Sequence, residues 1–446
     1  MDGLQPIWRS LREPTETPGP LLLALVVVAA AGFAWINIHN AQHGTPQWSQ
    51  DLAFFHQWVH SAATGGPWAS PLILEPQGFF TQVHTHLVMP VVVAVYSVVP
   101  GQATLLALHS LFVCLAIIPA YRLGQATGGG RHAILATLAL LAFGPFQAVA
   151  VADFRPVGLF LPGILGVWSS SWRGSYKGIL LWAAVALLGR QEASYLLISS
   201  GCAMLAVTWG NANRRHALLL IGIGALSWAS FTALKPEMFF HINPLAPSGF
   251  PESTELWAQR LAFGGALIVS TWWLGLLRPA PLLAMLPVVW GMLTTGREWH
   301  ALTGPGAHHH AFWLPFVLAA GIAGSARIPR GVGPLALILG GALAFPWAAT
   351  TEKRSETPEA VHAIPNADRV AADYDTIHLL SGRLVLWNVD QLFMPDRPWH
   401  WKAAWPLTPN DVDWIVAPKG HQIEDRLGEW NLVEATDTHR VFKRPH

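Results

Sequence analysis

The sequence predicts an all-α polytopic membrane bundle that carries a small C-terminal α/β soluble domain. Three observations predict it. Of 446 residues, 52% are hydrophobic and only 12% are charged, about half the ~25% usual in a soluble domain. Apolar runs of span length recur from residue 21 to residue 350. Charge is also partitioned along the chain, with 15 of the 26 acids falling after residue 350. The expected organisation is a cytoplasmic N-terminal tail over 1–20, a membrane domain over 21–350 and an extracytoplasmic domain over 351–446.

The first run, "LLLALVVVAAAGFAWINIH" (21–39), is close to the roughly 20 residues a bilayer requires. It has no convincing small-residue cleavage site and more spans follow it, so it reads as an uncleaved signal-anchor. Ten further spans are expected at 102–122, 131–150, 156–171, 176–189, 193–210, 216–234, 258–277, 280–296, 311–325 and 333–350. The run 84–99 is apolar but short and opens with "HTHLVMP". It is taken as a juxtamembrane or re-entrant helix, which is tolerable where protein or water covers its polar ends.

Lys and Arg in the short loops set the orientation. With the N-terminus in the cytoplasm and 84–99 not crossing, the cytoplasmic ends collect Arg9, Arg12, Arg122, Arg131, Arg173, Lys177, Arg214, Arg215, Arg278, Arg327 and Arg330. The outer side collects Arg155, Arg190, Lys235, Arg260 and Arg297. Eleven spans then place the C-terminus outside the cytoplasmic (inner) membrane. The acids of the bundle follow independently: Asp51, Glu75, Asp153, Glu192, Glu237, Glu252, Glu255 and Glu298 all fall on the outer face. Most histidines of the membrane part join them. The two cysteines, Cys114 and Cys202, lie within apolar runs and imply no disulfide framework. The net charge of +1 gives no ground for a nucleic-acid partner.

Beyond a linker at 349–366, the tail holds strand-like segments at "RLVLWN", "DWIVAP" and the pair "NLVEA"/"HRVFKR". "NADRVAADYD" and "TIHLLSG" are expected to be short helices. No glycine-rich phosphate loop, CxxC pair or nucleophile elbow appears, so the tail reads as a structural cap.

The most informative stretch is "VADFRPVGLFLP" (151–162). Asp153 and Arg155 interrupt apolar sequence, where charge is costly unless it meets water, a partner or a ligand. Its companions, in order, are "DLAFFHQWVHS", "VHTHLVMP", "GRQEASYLL" and "HHHAFWLPFVLAAGIAG". Their order resembles the membrane-protein family catalogued as domain of unknown function 2079, from about residue 35 to 445. That family usually carries "DLGIFDQALW", "GDHFSP", "DFHPEAL" and "KED". Asp51, His84 or His86, Asp153 and Glu192 match in turn. The chain departs at His56, Arg155, Val157, Gln191 and Ala193, which leaves room for an altered activity.

The resemblance implies a GT-C-like fold, grouped with membrane glycosyltransferases that use a polyprenyl-phosphate sugar and place an acidic base in the first outer loop. Inverting sugar transfer needs a carboxylate near the acceptor hydroxyl and cations where the lipid phosphate departs. Asp51 is the candidate base, with Asp153 the second catalytic candidate. An acid in a first helical turn is, equally, ordinary helix chemistry. Arg155, Arg190 and Arg297 are candidate phosphate clamps, and the alternative for each is an ion pair with Asp153, Glu192 or Glu298. His84, His86 and Glu192 complete the substrate-binding set. His84 and His86 share a face only in extended chain. A divalent cation, magnesium or manganese, is conceivable on them with Asp51 or Asp153, but no tight ligand spacing supports it. Hydrogen-bonding histidines are the simpler expectation. The expected partners are a polyprenyl-phosphate-linked sugar and membrane lipids. A transporter or a non-catalytic envelope-polymer assembly factor is the other reading. The absence of an internal repeat and the placement of charge at one face argue against a transporter.

Overall fold

A computed structural model describes residues 19–42, 49–66, 68, 84–207, 211–234, 257–258, 261, 265, 272–293, 310–328, 332–344, 359–365, 368–373, 376–381, 386–388 and 412–445. The chain divides into two compact units, one of residues 1–34 and 109–350, the other of residues 35–108 and 351–446. In chain order the described helices are α1 (Pro20–Gln42), α2 (Ser49–Ala63), α3 (Met89–Val98), α4 (Gln102–Cys114), α5 (Ile117–Gly128), α6 (Gly130–Ala142) and α7 (Gly144–Ala150). They continue with α8 (Phe160–Trp172), α9 (Tyr176–Gly189), α10 (Ala193–Val207), α11 (Asn211–Leu234), α12 (Ala280–Leu293), α13 (His310–Ser325), α14 (Val332–Ala344) and α15 (Glu359–Ala363).

In the first unit α13 is buried along its whole length and forms the centre of the core. Helices α5, α8, α12 and α14 and the 3-10 helix Trp272–Leu277 pack around it. Phe160 of α8 meets Phe312 of α13 edge to face, with ring centroids 5.3 Å apart. The outward faces stay apolar, as a bilayer requires: Leu180 and Leu181 of α9, Leu226 of α11 and Leu335 and Leu339 of α14 are all exposed.

Among the described residues, Pro20–Gln42, Gln102–Gly128 and Arg214–Leu234 are each long and apolar enough to cross a membrane. The expected span 131–150 differs from a single rod. It is the pair α6 and α7, bent by 66°, because Gly144-Pro145 restarts the helix after the extended Phe143. Among the described residues, six further apolar helices have 10 to 17 residues. The expected span at 156–171 begins as the 3-10 turn Pro156–Leu159 and continues directly into α8. The expected spans at 193–210, 258–277, 280–296 and 333–350 lie partly outside the described residues.

In the second unit, α2 buries Leu52, Ala53, Trp58 and Val59 and packs against α3 and the 3-10 turn Ile377–Leu380. Its sheet contains β1 (Val370–Ala372), β2 (Leu386–Asn388), β3 (Trp414–Pro418), β4 (Asn431–Ala435) and β5 (His439–Lys443). The strand order is β2-β1-β3-β5-β4. β1 runs parallel to both neighbours, whereas β5 is antiparallel to β3 and β4. Each of the four expected strand segments contains a strand, that of "RLVLWN" being described over Leu386–Asn388. "NADRVAADYD" is not a short helix: its Val370–Ala372 is the fully buried strand β1. Flanked by strands on both sides, these small apolar residues serve the sheet interior, where tertiary pairing overrides helix propensity. "TIHLLSG" contributes the 3-10 turn Ile377–Leu380.

Candidate functional site

In the first unit, the chain leaves α7 at Ala150, crosses Asp153 and Arg155 in extended and bent backbone, and re-enters helix at Pro156. Proline favours this placement because its missing N–H costs nothing in a first turn. The turn is pinned by α4. His109 Nε2 lies 2.7 Å from the Val149 carbonyl, so it carries the proton and donates. Nδ1 is then the acceptor, taking the Arg155 backbone N–H at 3.2 Å. Ser110 donates to the Ala150 carbonyl at 3.0 Å. Asp153 is buried, and Arg155 Nη2 approaches its Oδ2 to 3.7 Å.

The "GRQE" motif joins the same end. A Cβ on Gly189 would stand 2.8 Å from the Pro156 carbonyl, so only glycine lets α9 finish against the turn after Arg155. Arg190 leaves α9 in extended conformation and grips Glu192 in a two-pronged ion pair: Nε donates to Oε2 at 2.8 Å and Nη2 donates to Oε1. Both side chains are buried. The guanidinium also faces the Phe312 ring at 5.6 Å. Such a pair is costly to open on one side only, since the remaining charge would be stranded. His310 and Trp313 stack edge to face beside this helix start, centroids 5.3 Å apart.

In the second unit, Asp51 is a half-buried acid in the first turn of α2. His86 is buried and packs on the same helix, its ring 5.5 Å from Phe55 and 6.2 Å from Trp58. His84 and His86 do come together, 6.0 Å apart and edge to face, in the non-helical stretch before α3. Among the described residues, no three His, Cys, Asp or Glu groups form a metal-like cluster.

A polar chain that the motifs did not reveal runs through this unit. Gln102 Nε2 donates to Ser381 Oγ at 2.7 Å. Ser381 Oγ lies 2.8 Å from His56 Nδ1, and His56 Nε2 lies 2.8 Å from the Tyr96 hydroxyl. A consistent set of protons has Ser381 donating to Nδ1 and Nε2 donating to Tyr96, which requires neutral His56. Burial, reinforced by the nearby charge of His60, pushes the His56 pKa down to about 3. Burial lowers His60 as well. In the sheet, Asp413 accepts from the Arg369 backbone and guanidinium and from Arg444, and these contacts, the Arg369 bond first, depress its pKa.

The sequence-derived set thus divides by unit. Asp153, Arg155, Arg190 and Glu192 are drawn together in the first, and Asp51, His84 and His86 belong to the second. Arg297, with Glu298, lies outside the described residues. His109 was missed, although a histidine in the middle of "LLALHSLFVC" was itself a signal. His56, Tyr96 and Ser381 were missed as a group because they lie far apart in sequence.

Residues 49–247 match the family model described as "Predicted membrane protein (DUF2079)". The DUF2079 segment contains every candidate residue above except Arg297. No curated protein matches the sequence. Among solved structures, the chain is similar to ArnT from Cupriavidus metallidurans bound to undecaprenyl phosphate, with a TM-score of 0.55, 13% identity and coverage of 95% of this chain and 98% of that one. The same protein in the apo state matches with a TM-score of 0.55 and 13% identity over 94% of this chain and 97% of that one. At this identity the likeness is one of fold, and the fold is GT-C-like, as the motif order implied.

Proposed function

We propose that the protein is a GT-C-type membrane glycosyltransferase. In this reading it moves a sugar from a polyprenyl-phosphate donor to an acceptor on the outer face of the cytoplasmic membrane. The observation that carries the reading is the near-full-length likeness to a fold whose solved relative holds undecaprenyl phosphate. The acid in the first turn of α2 supports it.

Asp51 acts as general base, accepting the proton of the acceptor hydroxyl while the sugar's bond to phosphate breaks. A carboxylate within reach of the acceptor hydroxyl is the group this step requires. Arg155 and Arg190, with Arg297, bind the departing phosphate through planar, permanently charged forks. Asp153 and Glu192 hold two of these forks in place until the donor arrives. His84 and His86 contact the substrate as hydrogen-bonding groups. The N-terminus is cytoplasmic, and the domain over 351–446 is extracytoplasmic.

A non-catalytic role in envelope-polymer assembly is the second reading. The two-pronged Arg190–Glu192 pair favours it, because it neutralises a cation the transfer reaction would use. The deciding experiment incubates the purified chain in proteoliposomes with a panel of undecaprenyl-phosphate sugars and follows release of undecaprenyl phosphate. Release dependent on an added acceptor supports the transferase. Donor binding without release favours the assembly role.

A further inference from the structure

Charge is segregated along the first unit. Among its described residues the acids are Asp153 and Glu192, and Glu192's partner Arg190 sits over Phe312, in the first turn of α13. α13 then runs to Ser325, roughly 20 Å further on at 1.5 Å per residue, before reaching Arg327. The far end of the helix is therefore remote from both acids.

There the 3-10 helix Trp272–Leu277 crosses α13 backbone against backbone. A Cβ on Gly275 would stand 2.7 Å from the Ala320 Cβ, and one on Gly324 would stand 2.1 Å from the Leu274 carbonyl. Each of these glycines is followed three residues later by an arginine. Arg278 N–H closes on the Gly275 carbonyl at 2.8 Å, and Arg327 N–H closes on the Gly324 carbonyl at 2.9 Å. The crossing thus brings both arginines to one end of α13, near enough that the Arg327 charge acts on Arg278 as a like charge. Arg278 Nε is buried, and no acceptor meets it among the described residues.

The surroundings are those of an acyl chain rather than of water alone. Leu276 and Leu277, immediately before Arg278, are 66% and 48% exposed. The start of α14 closes in from the other side: a Cβ on Gly333 would come within 2.3 Å of the Ser325 carbonyl. Its Val332 and Leu335 are also exposed. Two adjacent cations, a buried donor without an acceptor and flanking apolar side chains are complementary to a phosphate attached to hydrocarbon. The phosphate oxygens accept from both forks and cancel their repulsion, and the leucines cover the first methylenes.

We propose that Arg278 and Arg327 form a binding site for the phosphate of an anionic membrane lipid, at the end of the bundle opposite Asp153 and Glu192. The site is separate from the proposed donor site and does not depend on sugar transfer. Basic pockets between helices at the cytoplasmic surface are a known means of holding such headgroups.

The test is thermal unfolding of the full chain in detergent, titrated with phosphatidylglycerol, phosphatidylcholine or inorganic phosphate. Phosphatidylglycerol should raise the Tm by several degrees, whereas the other two should leave it within a degree. The double variant Arg278→Gln/Arg327→Gln should lose the shift, and Arg173→Gln/Lys177→Gln should keep it. Arg327 is exposed, so Arg327→Gln alone preserves the fold, and it should raise the midpoint lipid concentration about fivefold or more. An unchanged midpoint in Arg327→Gln overturns the proposal. So does an equal phosphatidylglycerol shift in the double variant. Inorganic phosphate matching the lipid would overturn the lipid assignment.

Discussion

His109, midway along α4, accepts the backbone N–H of Arg155 at 3.2 Å while its other ring nitrogen donates to the Val149 carbonyl at 2.7 Å. One neutral imidazole therefore fixes both sides of the turn that presents Asp153 and Arg155. His109→Ala removes both bonds; the Val149 carbonyl keeps the Ala152 N–H at 3.3 Å, but the Arg155 N–H loses its acceptor, at a cost of about 1–3 kcal/mol. Thermal unfolding in detergent should show a clearly lower Tm. An unchanged Tm would mean that the turn holds itself.

The Arg190–Glu192 pair gives a sharper contrast. Glu192→Ala strands a buried guanidinium and should destabilise the protein by about 3–5 kcal/mol. Replacing both residues with apolar side chains of similar size should cost far less. A double-mutant cycle read by chemical unfolding checks this, and simple additivity of the two single changes would refute the coupling.

Acid should loosen the fold through His56. Its folded pKa, about 3, lies below the ordinary 6.5, so between these values the unfolded chain binds a proton that the folded chain refuses. Stability is full above about pH 6.5 and falls as pH drops toward 3. By pH 5 the loss attributable to His56 is about 2 kcal/mol. Asp413 acts in the same direction but lower, because its pKa is depressed from 3.8: its contribution is present above that value and lost only in stronger acid. The Tm of wild type between pH 7.5 and 5 should therefore fall more steeply than that of His56→Gln. Parallel curves would count against the assignment.

Orientation is checked by reporter fusions at residues 212 and 355. The first should report cytoplasm and the second the exterior, and finding both on one side would contradict the eleven-span topology.

Much of the fold was legible because hydrophobic runs and charge placement obey the bilayer directly. The strand segments "DWIVAP" and "NLVEA"/"HRVFKR" announced themselves by composition. Val370–Ala372 did not, because "RVAAD" holds only small apolar residues, whose strand character comes from neighbours on both sides. The single span expected at 131–150 hid its bend, although Gly144-Pro145 was the visible cause. At the site, the Asp153–Arg155 and Arg190–Glu192 pairings followed from proximity in sequence. The junction of Gly189 with Pro156 and the bond from His56 to Ser381 depended on tertiary packing that no local pattern encodes.

The central claim is that Asp51 is the base for sugar transfer, and one paired assay tests it most directly. Asp51→Asn keeps the size and hydrogen bonding of the side chain but removes its basic oxygen. The account predicts that transfer from the undecaprenyl-phosphate sugar used by wild type falls about 10²-fold or more, with Tm and donor binding unchanged in the same detergent. Normal transfer by Asp51→Asn, with loss in Asp153→Asn, would contradict it and move the base to Asp153.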